Sequence, residues 1–365
     1  MARLPTHPLL HELNAACAQL QELPNPAGKG ATLTAMRYGD SWADELTALL
    51  TGTALCDWSG RSLLQVQGKD SAKWLHGLCT QDIKGIASGA GAYACHIDIK
   101  GRIVTDFRVT KTSDSFLLDL EPGEAKRIRR AFKRFIVMED VKVINLSTTH
   151  GTLGLVGPGV TPILGDAFET LPTHSVIEES IAGISCRVIA SDLYGQRGAR
   201  IIAPREQLPV LWMHFEGQEG VTFAGEDALE ALRIRSGRPR FGSDLSDSVL
   251  FNEALLDDAV SFTKGCYLGQ EIVERVDARG RVGRKLVALK LDCTAQTLPT
   301  SGSKVFNAKR ALGTLTSSAW QPDLGFGLGL GLVHRSDNDL GAALKVGDIE
   351  GASMDAKVIT RGQPS

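Results

Sequence analysis

Phe262-Thr263-Lys264-Gly265-Cys266-Tyr267-Leu268-Gly269-Gln270-Glu271-Ile272-Val273-Glu274-Arg275-Val276-Asp277-Ala278-Arg279-Gly280-Arg281-Val282-Gly283-Arg284 is the stretch from which fold and function are read. Gly265 and Gly269 bracket a cysteine and a tyrosine, and a helix-compatible run from Gln270 to Val276 follows at once. A thiol just before a helix sits in the field of unpaired backbone N–H groups, which favours the thiolate. Lys264 adds positive charge nearby. On this chemistry Cys266 is the reactive candidate. The structural alternative is a small buried hydrophobe, which is what most cysteines are. Arg275, Arg279, Arg281, Arg284 and Lys285 then form a dense cationic run suited to phosphate or carboxylate, or simply to a solvated surface.

The string Lys-Gly-Cys-Tyr-x-Gly-Gln-Glu, followed by an arginine and a later glycine-basic segment, resembles the signature of the YgfZ family. These are folate-binding, T-protein-like proteins associated with iron–sulfur cluster synthesis and repair. Their wider superfamily includes the aminomethyltransferase (T-protein) of the glycine cleavage system.

The 365 residues exceed one small core and imply two or three units. A net charge of −2 argues against bulk electrostatic binding to nucleic acid or membrane, though local patches remain available. No apolar run reaches membrane-spanning length. The opening Met1 to His7 lacks an apolar signal core, so the expected location is the cytoplasm. Seven scattered cysteines with no Cys-x-x-Cys pair suggest neither a disulfide framework nor a local metal site, and no metal ligands are assigned.

Residues 1 to 35 read as a peripheral extension, with a helix over Leu9–Leu20 ended by Pro24-Asn25-Pro26 and a loop at Gly28-Lys29-Gly30. From Met36 to about 145 the chain reads as an α+β domain. Helices are expected over Trp42–Leu50, over Glu124–Ile136, and from a start at Gly68-Lys69-Asp70-Ser71, with Trp74, Leu75 and Leu78 on the apolar face, to a close at Thr80-Gln81-Asp82-Ile83. Strands are expected over Ser62–Gln67, Tyr93–Asp98, Ile103–Val109 and Ser115–Leu120, with Gly101 supplying a positive dihedral in a tight hairpin. This order points to antiparallel sheet, not a doubly wound nucleotide fold.

The same region extends the resemblance through Leu55-Cys56-Asp57-Trp58-Ser59, Thr80-Gln81-Asp82 and Gly101-Arg102-Ile103-Val104-Thr105-Asp106. Where this chain has Thr105-Asp106, T-protein-like transferases carry two aspartates. The first of that pair is linked to positioning the folate and the aminomethyl group. The resemblance thus leaves Asp106 as the candidate catalytic carboxylate and counts Thr105 against transfer. The alternative for Asp106 is a solvent-facing strand carboxylate.

The Glu124 helix carries Lys126, Arg127, Arg129, Arg130, Lys133 and Arg134 opposite Ile128, Ala131, Phe132, Phe135 and Ile136. It is amphipathic with a strongly basic face. A solvated face competes with a docking site for a folate polyglutamate tail, tRNA or an acidic partner.

A second α+β domain is expected over 146–235. Its strands are Gly151–Pro158, Ile184–Ser191 and Ala199–Ile202. Its helices are Thr161–Phe168, Pro204–Phe215 and Gly225–Arg235. In aminomethyltransferases a Gly-x-Glu near Ala199 helps hold folate. Gly198-Ala199-Arg200 here places a donor-only guanidinium at that point, a second departure from the transferase pattern. Residues 236–283 form a return segment bearing the Cys266 motif. Leu232-Arg233-Ile234 through Gly242 resembles a further family segment, with Arg233 either pairing a carboxylate or bracing the structure.

From 284 to 362, short strands at even spacing signal a small antiparallel barrel. Gly325, Gly327, Gly329 and Gly331 alternate as on a strand and suggest close backbone packing. The resemblance implies a three-domain T-protein-like fold around a central folate channel, and tetrahydrofolate or a derivative as ligand. Its implied role is support of iron–sulfur enzymes or cluster assembly proteins, tRNA-modifying radical enzymes among the clients, with no membrane. In that reading Cys266, Lys264 and Asp106 are the catalytic candidates. Arg233, Tyr267, Gln270 and Glu271 are the ligand-binding ones. The rival is a tetrahydrofolate-dependent aminomethyl or one-carbon transferase. A pure RNA-binding module rests on the basic helix alone.

Overall fold

The computed structural model describes residues 7–26, 30–280, 282–308 and 310–363, without the side chain of Arg279. The expectations for Met1 to Thr6, Gly28, Lys29, the Arg279 side chain and Arg281 lie outside the described residues. The chain divides into two compact units, Met1–Ala94 with Asp106–Leu229, and Cys95–Thr105 with Glu230–Ser365.

The first unit opens with α1 (Leu10–Ala15) and the hairpin β1 (Ala18–Pro24) and β2 (Ala31–Tyr38). Next come α2 (Trp42–Thr51), β3 (Thr53–Asp57), β4 (Ser62–Gln67) and α3 (Ser71–Leu78). β5 (Gly91–Ile97) carries the chain into the second unit and β6 (Ile103–Lys111) brings it back. β7 (Ser115–Leu120), α4 (Ala125–Lys133), β8 (Lys142–Asn145) and β9 (His150–Val156) follow. The unit continues through α5 (Val160–Leu164), α6 (Asp166–Glu169), β10 (Val176–Ile181), β11 (Ile184–Ser191) and β12 (Gly198–Pro204). It ends with α7 (Leu208–Glu216), β13 (Val221–Phe223) and the first turn of α8 (Glu226–Arg235).

Two larger sheets result, in strand orders β10-β11-β12-β9-β3-β13 and β5-β6-β7-β4-β8. β13 joins β3 in parallel, whereas β9, β11 and β12 pair antiparallel. Alternation along each strand decides which layer a side chain enters. Leu153 and Leu155, Cys186, Val188 and Ala190, and Ala199, Ile201 and Ala203 share one core with Leu9, Leu13, Leu208, Leu211, Trp212 and Phe215. The opposite face of the same sheet sends Ile189 and Ile202 to Leu63 of β4 and Leu117 of β7. The two sheets are therefore packed face to face, and Arg200, between Ala199 and Ile201, points into the layer between them.

Several sequence expectations are corrected. The helix expected over Leu9–Leu20 ends at Ala15, because Cys17 takes a positive φ of 56°. Ala18 onward is a strand whose Ala18 and Leu20, two apart, face the core. The N-terminal residues expected at the periphery include Leu9 and Leu13, both fully buried. Burial of that kind is worth about 1.5–3 kcal/mol per side chain. His7 also pairs with the buried Asp57 at 3.0 Å. The helix expected over Thr161–Phe168 breaks into α5 and α6 at Gly165, where φ is 82°. The basic helix stops at Lys133, and Phe135 lies on the surface at 36% exposure, so it does not join the apolar face expected of it.

The second unit adds α9 (Phe251–Ala254), α10 (Gln270–Arg279) and six strands. These are β14 (Arg284–Leu291), β15 (Lys304–Asn307), β16 (Arg310–Gln321), β17 (Phe326–His334), β18 (Ala343–Gly347) and β19 (Ser353–Ile359). They close into a small antiparallel barrel, as the spacing predicts, and the strand order is β14-β17-β16-β15-β18-β19. Leu289, Leu291, Val305, Leu315, Val333, Val346 and Val358 fill the interior. Gly325 precedes β17 in a turn at φ 70°, so only Gly327, Gly329 and Gly331 share its face. A Cβ on Gly329 would lie 3.0 Å from the Ser317 carbonyl, and one on Gly327 would meet side chains, with Cys293 Sγ at 2.6 Å. The close approach is thus partly to backbone and partly to side chains.

Candidate functional site

The layer between the two sheets is apolar at Leu63, Leu117, Ile189 and Ile202 and charged immediately beyond. Steps of two residues along the strands explain this. Leu63 is preceded by Arg61, Leu117 is followed by Asp119 and Glu121, and Ile202 is preceded by Arg200. Register then aligns Leu63, Asp119 and Arg108 across β4, β7 and β6, and Asp106 lies two residues from Arg108 on the same face.

These groups bond to one another. Arg61 donates from Nε to Asp119 Oδ1 at 2.7 Å and from Nη1 to Glu121 Oε1 at 3.0 Å. Arg200 donates from Nη1 to Asp119 Oδ2 at 2.6 Å. Asp106 Oδ2 accepts from the Tyr93 hydroxyl at 2.7 Å and lies 3.3 Å from Arg108 Nη1. The Arg108 guanidinium sits 4.3 Å from the centre of the Tyr93 ring, a cation–π contact. None of the six charged side chains is more than 8% exposed. Trp58 stacks on Tyr194 with centroids 5.5 Å apart.

Burial and pairing move the acids in opposite directions. Burial pushes the Asp106 carboxyl above the usual carboxylate range, and Arg108 only partly opposes it. Burial also acts against ionised Asp119, but Arg61 and Arg200 outweigh it and hold that carboxyl below its ordinary value. A carboxyl held high and one held low, separated by a guanidinium, is an arrangement suited to handling a proton at the first site while fixing charge at the second. Among the described residues, Arg200 Nε and Nη2, Arg61 Nη2 and Arg108 Nε are buried without a hydrogen-bond acceptor. Such donors are served by a ligand or by water.

The motif bearing Cys266 lies in the second unit. Gly269, at φ 81°, caps α10. A Cβ there would come 2.3 Å from the Asp98 carbonyl, and Ile272 packs where a Cβ on Gly101 would come within 2.8 Å. The two glycines of the motif and the hairpin therefore fit each other. Cys266 is exposed. The Lys264 ammonium lies 4.8 Å from the Tyr267 ring centre, and Tyr267 is buried. The Tyr267 backbone N–H donates to Gln270 Oε1 at 3.2 Å, and Gln270 Nε2 donates to Glu274 at 2.5 Å. Glu271 is exposed on the first turn of α10. Of the cationic run, Arg284 is committed to Glu253 at 3.0 Å and to the Ser248 carbonyl at 2.8 Å.

Two family models match the chain. The GCVT N-terminal domain covers residues 11–264 and the glycine cleavage T-protein C-terminal barrel domain covers residues 284–362. The chain belongs to the glycine cleavage T-protein family. Its fold is the three-domain T-protein-like fold of that family, ending in the closed antiparallel barrel. The chain is similar to the aminomethyltransferase of Listeria monocytogenes serotype 4a (strain HCC23), 29% identical over 325 residues, covering 86% of this chain and 87% of that one. It is also similar to the aminomethyltransferase of Thermoanaerobacter pseudethanolicus (strain ATCC 33223 / 39E), 26% identical over 316 residues, covering 84% and 85% of the two chains. The crystal structure of glycine cleavage system aminomethyltransferase T from Bartonella henselae superposes with a TM-score of 0.87 at 20% identity, covering 97% of this chain and 96% of that one.

Within this T-protein fold the candidate residues fall into two groups. Asp106 belongs to the charged layer, and at 2% exposure it is not a solvent-facing strand residue. Thr105, its neighbour on β6, is also buried but points to the other side of the strand. Cys266, Lys264, Tyr267, Gln270 and Glu271 cluster on the loop and first turn of α10. Arg233 commits its whole guanidinium within the second unit. It donates to Glu230 from Nε at 2.8 Å and again from Nη2, to Asp244 at 2.7 Å, to the Arg238 carbonyl at 2.5 Å and to Ser317 at 2.9 Å. That geometry is a brace between α8, the turn after it and β16. The sequence reading passed over Arg61, Tyr93, Arg108, Asp119 and Glu121. Part of their signal was present: Arg108 and Asp119 each stand between apolar neighbours, Phe107 and Val109 or Leu118 and Leu120, inside buried strands.

Proposed function

We propose that this chain binds tetrahydrofolate through the charged layer of its first unit and acts as a folate-dependent aminomethyl or one-carbon transferase. The observation that carries this reading is Asp106, a buried carboxylate bonded to Tyr93 and Arg108 and held above the usual carboxylate range. Near full-length similarity to aminomethyltransferases supports it. Tetrahydrofolate, when bound, supplies the amine that accepts a one-carbon unit. Asp106 would orient that amine and hold its proton, Tyr93 would fix the carboxylate, and Arg108 would balance its charge. The test is formation of methylenetetrahydrofolate from an aminomethyl carrier by the purified chain. Turnover lost in Asp106→Asn supports the reading, and no turnover under any carrier sinks it.

A second reading rests on different residues. Thr105 and Arg200 stand where the transferase pattern has acids, and Cys266 is exposed within a motif resembling the YgfZ signature. These favour a folate-binding accessory for iron–sulfur cluster synthesis or repair, with cluster enzymes that modify tRNA as clients and Cys266 as thiolate or transient ligand. Lys126, Arg130 and Lys133 of the basic helix, with Arg134 just beyond its end, are exposed and would serve an acidic partner or tRNA. Activity of a cluster-dependent tRNA thiolation enzyme in cells lacking this protein, complemented with wild type or Cys266→Ala, separates the readings. Rescue by wild type and not by the variant favours the accessory role, and no effect of the wild type removes it.

A further inference from the structure

Arg200 is the least exposed charged residue of the layer, at 1%. One of its nitrogens, Nη1, is committed to Asp119, while Nε and Nη2 are buried without an acceptor among the described residues. Arg61 Nη2 and Arg108 Nε share that condition. A guanidinium has donors only, so whatever completes these bonds must present acceptors. A buried donor left unmet costs free energy, so the site favours a ligand that meets it.

Charge decides which acceptor fits. Three guanidiniums, Arg61, Arg108 and Arg200, already face three carboxylates, Asp106, Asp119 and Glu121. An added carboxylate, such as a glutamate tail, would be buried beside those acids without a cation of its own. A neutral carbonyl oxygen takes the free N–H groups and leaves the balance intact. On a pterin ring that oxygen is the 4-oxo group, whereas the 2-amino group and N3–H are donors. A 4-amino pterin replaces the acceptor with a further donor, which would meet the guanidinium donor to donor.

We propose that Arg200 is a specificity-determining residue that donates to the 4-oxo oxygen of the bound pterin, so that the site takes 4-oxo folates and rejects their 4-amino analogues. This rests on the tetrahydrofolate reading above. Arg200 acts on ligand choice and has no part in moving a proton.

The test is equilibrium binding of the full-length chain to tetrahydrofolate and to tetrahydroaminopterin, which carry the same tail. Wild type is expected to prefer the 4-oxo ligand by at least about 10-fold, which is within the range that leaving a buried donor unmet costs. Arg200→Gln offers an acceptor as well as a donor and is expected to shrink the preference towards unity. If that variant does not melt cooperatively, Arg200→Lys, which keeps a cation opposite Asp119 but loses the fork, takes its place with the same expectation. Equal wild-type affinities, as expected if water serves the free donors, overturn the proposal. So does a preference left unchanged in a folded variant. Binding of neither pterin overturns the folate reading itself, and the specificity falls with it.

Discussion

Arg200 on β12 and Asp119 on β7 meet at 2.6 Å between the two facing sheets of the first unit, where both are almost wholly buried. Asp119 is also held by Arg61, so one carboxylate anchors two guanidiniums. Removing a single member of a buried ion cluster strands the others, and the loss usually exceeds the net worth of the pair. Asp119→Ala is therefore expected to lower stability by about 3–5 kcal/mol in urea unfolding. A loss under about 1 kcal/mol would mean that water reaches the layer freely.

Asp106 behaves in the opposite sense. Burial raises its folded-state pKa above the unfolded value, so its contribution to stability is full below the unfolded pKa and is lost as pH rises through the folded one. Asp106→Asn keeps the shape without the charge. It is expected to retain or gain stability near neutral pH and to remove that decline, while lowering one-carbon transfer by about 100-fold or more. Unfolding curves across pH and turnover assays measure the two effects separately.

In the second unit, Glu230 shows the reverse linkage. Burial opposes its charge, but Arg233 and Arg240 outweigh it and bring its carboxyl from 4.5 down to about 2. Its stabilising effect is thus present above pH 4.5 and is lost as pH falls towards about 2. Glu230→Gln should flatten the acid limb of the stability profile over that interval. An unchanged acid limb would mean that the brace around Arg233 does not depend on this charge.

Cys266 is exposed, whereas Cys56, Cys79, Cys95 and Cys186 are buried. Cys266→Ser is expected to leave stability within about 0.5 kcal/mol, because it removes no packing. Alkylation of the native chain should label Cys17 and Cys266 well before the buried four, and peptide mapping reads the order. Protection of Cys266 in the native chain would contradict its exposure.

Gly269 holds a positive φ against the Asp98 carbonyl. Gly269→Ala places a Cβ 2.3 Å from that oxygen, so backbone must move. A destabilisation above about 1 kcal/mol is expected, measured by thermal unfolding. A neutral result would show that the entry to α10 relaxes without cost.

Local signals made much of the fold legible. The barrel strands, α2, α3 and the β6 and β7 strands fall where period and turn residues place them, because each pattern is satisfied by its own few neighbours. The N-terminal segment was not legible in the same way. Leu9 to Leu20 reads as one helix, yet Cys17 reverses the backbone and Leu20 enters the core from a strand. Short apolar runs fit either period, and only the partner surface selects one.

The site divides along the same line. The Lys-Gly-Cys-Tyr-x-Gly-Gln-Glu motif is contiguous, so its residues and its helix start follow from local order, whereas the exposure of its thiol is decided by the structure. The charged layer is assembled from Arg61, Tyr93, Asp106, Arg108, Asp119, Glu121 and Arg200, which lie on four strands and two connecting segments. Sequence alone fixed the parity of each on its strand. Which strands became neighbours, and hence which arginine met which carboxylate, was decided by sheet order and by the packing of two faces. That is a long-range choice which no window of sequence contains.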